Sequence, residues 1–233
     1  MVLIVLALGA VVLVYVYKRI VFDYLPKHNM IALTGSLGTG KSMLGSLLAV
    51  RKLKRSLIKY YWQKLTKHNL APEEKLFKPR LFSNYKIFMK RHIVEMSAFD
   101  VLNYEGFNRG DVIVLDELSN DKRFNQWAKN EQVEKLDVFF RNSRKAGLYV
   151  VIMDQSILNL NYSIKRRANF IVNLNEFRRF FSDITIKYQT YQMLDGNTLM
   201  EYEPKRNKSN MLLNKKYKFR LFRKYDTNEF IGG

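Results

Sequence analysis

Cysteine is missing from all 233 residues, which excludes a disulfide framework, a zinc–thiolate site, an iron–sulfur cluster and any thiol nucleophile. The chemistry of this chain must use oxygen and nitrogen groups. Histidine is almost as scarce, and the residues at positions 28, 68 and 92 show no metal-ligand spacing. Acid is short as well: 21 Asp and Glu stand against 40 Lys and Arg, a net charge of +19. That imbalance points to a polyanion or an acidic membrane surface as partner without choosing between them. With 47% hydrophobic residues and no internal repeat, the chain holds one domain of ordinary size plus an appendage, and is not a disordered tail.

Charge is absent altogether from residues 1 to 17, an apolar run closed by Lys18 and Arg19. At ~1.5 Å per helical residue the run covers about 26 Å, slightly less than a ~30 Å hydrocarbon core. Ile20, Val21 and Phe22 extend it while Lys18 and Arg19 snorkel. Residues 1–22 are therefore expected to form one transmembrane helix. Tyr15, Tyr17 and Tyr24 suit the headgroup zone, and Lys18, Arg19 and Lys27 turn that end toward the cytoplasm. The expectation is a single-pass membrane protein, N-out and C-in, with a cytoplasmic body over residues 28–233. A cleaved signal peptide and a buried core helix are the competing readings, and the run lacks the basic leading region of a signal peptide.

An apolar run at residues 30 to 34 feeds directly into Gly35, Ser36, Leu37, Gly38, Thr39, Gly40, Lys41 and Ser42, which matches GxxxxGK(S/T). Helical spacing follows, carried by Leu44, Leu47, Leu48, Leu57, Tyr61 and Leu65. The glycines let the backbone curl around a pyrophosphate, and the amides of residues 37 to 42, at a helix N-terminus, supply donors to its oxygens. Lys41 adds a point charge between terminal phosphates, and Ser42 offers a hydroxyl to Mg²⁺, a hard cation that prefers oxygen. An accidental glycine turn is the bland alternative. The strand–loop–helix context argues against it.

Seventy-five residues beyond Lys41, residues 112 to 115 are apolar and run into Asp116 and Glu117. Such a run reads as a strand buried on both faces of a parallel sheet, with the acids at its C-terminal edge, where open α/β sheets bind ligands. Asp116 is placed to reach Mg²⁺, and Glu117 to orient or activate the water that attacks a γ-phosphate. An exposed acidic turn is the alternative.

These motifs together resemble the P-loop ATPases that carry a catalytic Glu beside the Walker B Asp; no NKxD guanine signature follows. The resemblance implies an α/β fold of RecA/FtsK-like type, a parallel-core sheet flanked by helices. In that class a strand is inserted between the phosphate-loop strand and the Walker B strand and ends in a polar sensor. Residues 148 to 153 match such a strand, and Gln155 is then the γ-phosphate sensor. The order of acid pair, helix over residues 131 to 145, Arg141, Arg144, Gly147, apolar strand and Gln155 resembles the FtsK/HerA superfamily of DNA-pumping ATPases. There such arginines serve a neighbouring subunit, so a homo-oligomeric ring is implied. A solvated helix end complementing the dipole is the alternative for both arginines.

Within the superfamily the likeness is to zonula occludens toxin-like ATPases of filamentous phages, which drive virion assembly and extrusion. Residues 81 to 84 and 224 to 229 add weaker echoes, and the whole resemblance spans about residues 30 to 230. Those phage proteins place their membrane span after the ATPase domain; here the apolar run comes first.

Nine Lys or Arg and no acid fall within residues 205–224. Lys216, Lys218 and Arg220 alternate with Tyr217, Phe219 and Leu221, as in a strand packed by one side. Sequence-independent contact with DNA is one use for that face, and anionic lipid or solvent is the other. A second basic stripe, Arg51, Lys52, Lys54, Arg55 and Lys59, follows the phosphate loop and suits lipid heads. Lys165, Arg166 and Arg167 suit DNA or a neighbouring subunit. Strands are expected at residues 81 to 88, 170 to 174 and 184 to 193, with a turn at 195 to 197, and Trp127 and most Tyr and Phe residues in the core.

With the resemblance, the expectation is a membrane-anchored, Mg²⁺-dependent ATPase that moves DNA in viral assembly, packaging or extrusion, with phage coat or assembly proteins as further partners. An ATP-regulated membrane scaffold that binds a protein, and a coupling ATPase for conjugative transfer, are the alternatives.

Overall fold

Strands that are apolar at every position need cover on both faces, and the observed architecture supplies it. The computed structural model describes residues 29–66, 76–87, 92–120, 131–180, 183–194, 198–201 and 210–213. In chain order the elements are β1 (Met30–Thr34), α1 (Lys41–Thr66), β2 (Leu81–Ser83), β3 (Ile93–Glu95), α2 (Ala98–Asn103), β4 (Val112–Asp116), a 3-10 turn (Leu118–Asn120), α3 (Glu131–Lys145), β5 (Tyr149–Asp154), α4 (Tyr162–Arg167), β6 (Phe170–Phe180), β7 (Asp183–Leu194), β8 (Thr198–Glu201) and β9 (Asn210–Leu213).

One sheet runs in the order β3-β2-β4-β5-β1-β6-β7-β8, with β9 also paired to β7. From β3 to β6 every pairing is parallel, and β7, β8 and β9 are added antiparallel. Alternate residues of each strand enter opposite cores. Ile31, Leu33, Val112, Val114 and Val151 pack with Leu44, Leu47 and Leu48 of α1. Ala32, Ile113, Leu115, Val150 and Ile152 pack with Leu136 and Phe140 of α3 and Ile164 of α4. The result is the expected parallel-core sheet between helical layers, and β5 lies between β1 and β4, where the inserted strand was expected.

Several expectations change. β2 ends at Ser83 rather than near residue 88, because Asn84 turns away to bond the backbone of Asp116. Helix α1 is present over the expected span, but its apolar spacing faces the core only as far as Leu57; Tyr61 and Leu65 are exposed. Phe77 and Tyr162 are exposed as well, against the expectation that aromatics fill the core. Among the described residues no helix is long and apolar enough to cross a membrane. The helix expected over residues 1–22 lies outside them, as do Trp127, the turn at 195 to 197 and most of the basic segment 205–224, of which β9 is described.

A buried acid secures the N-terminal edge of the parallel core. Asp111 is fully buried; its carboxylate accepts bonds from the Arg80 amide at 2.7 Å, the Arg80 guanidinium at 3.1 Å and the Asn108 amide at 2.8 Å. Arg80 also lies over the rings of Phe82 and Tyr104. Asp111→Ala leaves these donors unsatisfied and is expected to lower stability by about 3 kcal/mol, read from the urea midpoint.

Candidate functional site

At the C-terminal edge of β1 the backbone enters conformations that side chains resist: Gly35, Gly38 and Gly40 have φ of 147°, 80° and 82°. Gly35 has a second constraint, since a β-carbon there would stand 2.5 Å from the carbonyl oxygen of Leu174 in β6. Thr39 closes the loop by donating its hydroxyl to the Ser36 carbonyl at 2.8 Å, and the Leu44 amide bonds the Gly40 carbonyl as α1 begins. Leu37 is exposed at the loop. Lys41 is buried, and its ammonium donates to the carbonyls of Gly35 at 2.6 Å and Ser36 at 3.1 Å. Burial lowers its pKa, opposed by the nearby charges of Asp116, Glu117 and Asp154. A phosphate entering the loop would compete with those carbonyls for the ammonium.

The acid pair meets the loop directly. Ser42 Oγ donates to Asp116 Oδ2 at 2.9 Å across 74 residues of chain, so the two expected metal ligands are adjacent. Asp116 Oδ1 is buried without a partner. Among the described residues no group of three His, Asp or Glu side chains could hold a metal ion. Ser42 and Asp116 would offer a cation two protein oxygens and leave its remaining positions to phosphate and water, a donor set that suits Mg²⁺. The residues fit the ion.

Burial raises the Asp116 pKa to about 6, against the Ser42 hydrogen bond that lowers it, with Glu117 adding repulsion. An acid whose pKa is higher folded than unfolded stabilises the fold while it is protonated, and that contribution is lost as pH rises through the folded value. Metal-free protein is thus expected to lose up to about 3 kcal/mol between pH 4 and 7 relative to Asp116→Asn, and Mg²⁺ to restore part of it. Urea titrations of both proteins across that range test this.

Glu117 has φ of +50°, a left-handed conformation costing a residue with a β-carbon roughly 1–2 kcal/mol. It is held by its amide on the Met153 carbonyl at 3.0 Å. Its side chain is gripped at both oxygens: Gln155 Nε2 donates to Oε1 at 3.0 Å and Asn120 Nδ2 to Oε2 at 2.6 Å. The expected sensor and the expected water-orienting acid are therefore in direct contact.

Three positioning groups escaped the sequence reading. Asn84 exchanges two bonds with the Asp116 backbone, at 2.7 and 2.8 Å, fixing the height of β4 against β2. Asp154 is buried at the end of β5 and accepts from the Ser119 hydroxyl and from the Ser119 and Gln155 amides, tying the segment after β4 to the sensor. Asn120 is the third. Polar residues at the C-terminal ends of β2 and β5 were the available signal.

Arg141 and Arg144 do not join this site. Helix α3 leads back toward the start of β5, so its last turn lies toward the edge opposite the phosphate loop. Arg141 pairs with Asp137 at 2.7 Å, and Arg144 is exposed. Asp137 also receives Arg166 at 3.0 Å and Arg167 at 3.1 Å. Those partners, Arg167 foremost, hold its carboxyl well below the usual carboxylate range. Arg166 and Arg167 thus have an intrachain acid, which the expected DNA or intersubunit contact omits.

The chain is structurally similar to the N-terminal domain of zonular occludens toxin from Neisseria meningitidis, at 14% identity and a TM-score of 0.48, covering 85% of this chain and 100% of that one. It is similar also to the genome-packaging NTPase B204 of Sulfolobus turreted icosahedral virus 2 in complex with ATP-gammaS, at 15% identity and a TM-score of 0.40, covering 77% and 98%. KaiC-like protein PH0186 from Pyrococcus horikoshii OT3 has 12% identity and a TM-score of 0.37, covering 76% and 90%. No protein-family model and no curated protein matches the chain. The strand order, the phosphate loop and the acid pair are those of a P-loop NTPase fold.

Proposed function

We propose that this chain is a Mg²⁺-dependent ATPase that couples hydrolysis to the movement of DNA in viral assembly, packaging or extrusion. The observation that carries the reading is Glu117, set at the end of β4 in a left-handed conformation and clamped by Gln155 from the inserted strand. A carboxylate so fixed beside the phosphate loop can orient water in line with a γ-phosphate. The loop amides and Lys41 bind the phosphates, and Ser42 and Asp116 would hold Mg²⁺, which supplies charge neutralisation at the phosphate oxygens. Gln155 couples the position of Glu117 to the end of β5.

The partners follow from charge and placement. A net charge of +19 and the basic run at 205–224 suit sequence-independent contact with a nucleic-acid backbone. Arg141 pairs with Asp137 of its own helix, and neither it nor Arg144 bonds a residue of the phosphate loop or the acid pair among the described residues. A catalytic arginine drawn from α3 therefore acts on a neighbour, and a homo-oligomeric ring follows from that reading. The uncharged run at residues 1 to 17 with Lys18 and Arg19 favours a single-pass, N-out anchor holding the ATPase in the cytoplasm.

Phosphate release by the purified full chain, with and without single- and double-stranded DNA, tests this. Turnover should require Mg²⁺, rise severalfold with DNA and vanish in Lys41→Ala. Turnover indifferent to both forms of DNA removes the DNA part and leaves an ATPase that serves a protein partner; no phosphate release removes the whole reading.

A further inference from the structure

Helix α1 is longer than the sheet it covers. At ~1.5 Å per residue its 26 residues span about 39 Å, whereas β1, with five, spans about 17 Å. It starts at the phosphate loop and packs down the sheet. Near Ser56 it passes Gly110, which precedes β4 at the opposite edge: a β-carbon on Gly110 would lie 3.5 Å from Ser56. The nine residues beyond Leu57 therefore run past the sheet for about 14 Å.

That free end is apolar on one face. Ile58, Tyr61, Trp62 and Leu65, at spacings of three, one and three, are 69%, 48%, 67% and 69% exposed. Lys78 lies over the Tyr61 ring. Lys54, Lys59 and Lys64 border the stripe, and the whole helix carries seven cations and no acid. An apolar stripe with tryptophan and tyrosine, framed only by cations, matches the physics of helices that bury a few ångströms into an anionic bilayer interface. DNA offers the cations a partner but leaves four large apolar side chains in water. A second copy of this all-basic helix would be repelled by it.

Position on the fold agrees. β1 starts at this same edge, while the phosphate loop lies at the other. We propose that the free end of α1 is a membrane foot, docking on anionic lipid through Ile58, Tyr61, Trp62 and Leu65 with Lys54, Lys59 and Lys64 on the headgroup phosphates. The inference does not depend on the ATPase reading.

Trp62 reports the contact directly. In full-length Trp127→Phe it is the only tryptophan, since the chain has two. On vesicles of phosphatidylcholine and phosphatidylglycerol its emission should shift to shorter wavelength and fall at least about twofold with bromine-labelled lipid, as expected of a side chain at the acyl boundary. Lys54→Glu, Lys59→Glu and Lys64→Glu together should abolish the quenching at physiological salt and leave phosphate release unchanged. If Trp127→Phe does not fold, Leu65→Cys in this cysteine-free chain accepts an environment-sensitive dye for the same measurement. Emission unaffected by bromolipid overturns the proposal. So does a shift produced by DNA alone or by raising protein concentration without lipid, which would assign the stripe to nucleic acid or to a second copy.

Discussion

Glu117→Gln is expected to slow phosphate release about a thousandfold, within the range that a positioned acid–base group contributes. ATP affinity should stay within about threefold of the parent protein, because the loop amides, Lys41 and Ser42 remain (~0.6 kcal/mol). The amide keeps the size of the side chain and can still bond Asn120, but it presents a donor where Gln155 also donates. Single-turnover phosphate release alongside equilibrium nucleotide binding separates the two effects. Equal losses in both would mean that Glu117 shapes the pocket rather than acting on water.

Gly35→Ala should be nearly as severe, for a mechanical reason. The residue combines a φ of 147° with the Leu174 carbonyl 2.5 Å from any β-carbon, and that oxygen belongs to a strand held on both sides. Backbone strain and overpacking together cost about 3 kcal/mol. The loop must shift off β6, and ATP affinity is expected to fall on the order of a hundredfold. Gly38→Ala is the comparison: its φ is 80°, but nothing stands within 4 Å of the added carbon. It should show only the conformational penalty, about 1–2 kcal/mol. Calorimetry of nucleotide binding to both variants, with their urea midpoints, decides whether contact with β6 sets the loop.

Where one-dimensional pattern carries the structure, the sequence was sufficient. Doubly covered strands announce themselves as unbroken apolar runs, so β1, β4 and β5 were legible to within a residue or two, and α3 matched its pattern from Glu131 to Lys145. The loop from Gly35 to Ser42 and the acids Asp116 and Glu117 were legible because their chemistry fixes their spacing. Asn84 was not: its role depends on β2 lying next to β4, a pairing that nothing local encodes. Asp137 was hidden in the same way, since its partners Arg166 and Arg167 sit thirty residues away. The free end of α1 misled for the opposite reason. Its three- and four-residue spacing is real, but periodicity reports amphipathicity and does not say what covers the apolar face.

β6 belongs to two ladders of unequal length. It pairs with β1 only over Phe170 to Asn173, yet with β7 as far as Phe180, and the register slips once, between Leu174 and Glu176. Seven residues of β6 thus stand beyond the end of β1 on the nucleotide side, about 23 Å of strand, and β9 joins β7 out there. Since the Leu174 carbonyl abuts Gly35, the slip sits where the phosphate loop meets the root of this unshared length of strand, a natural fulcrum. A small tilt at that point reaches the tip multiplied by the length of the beam.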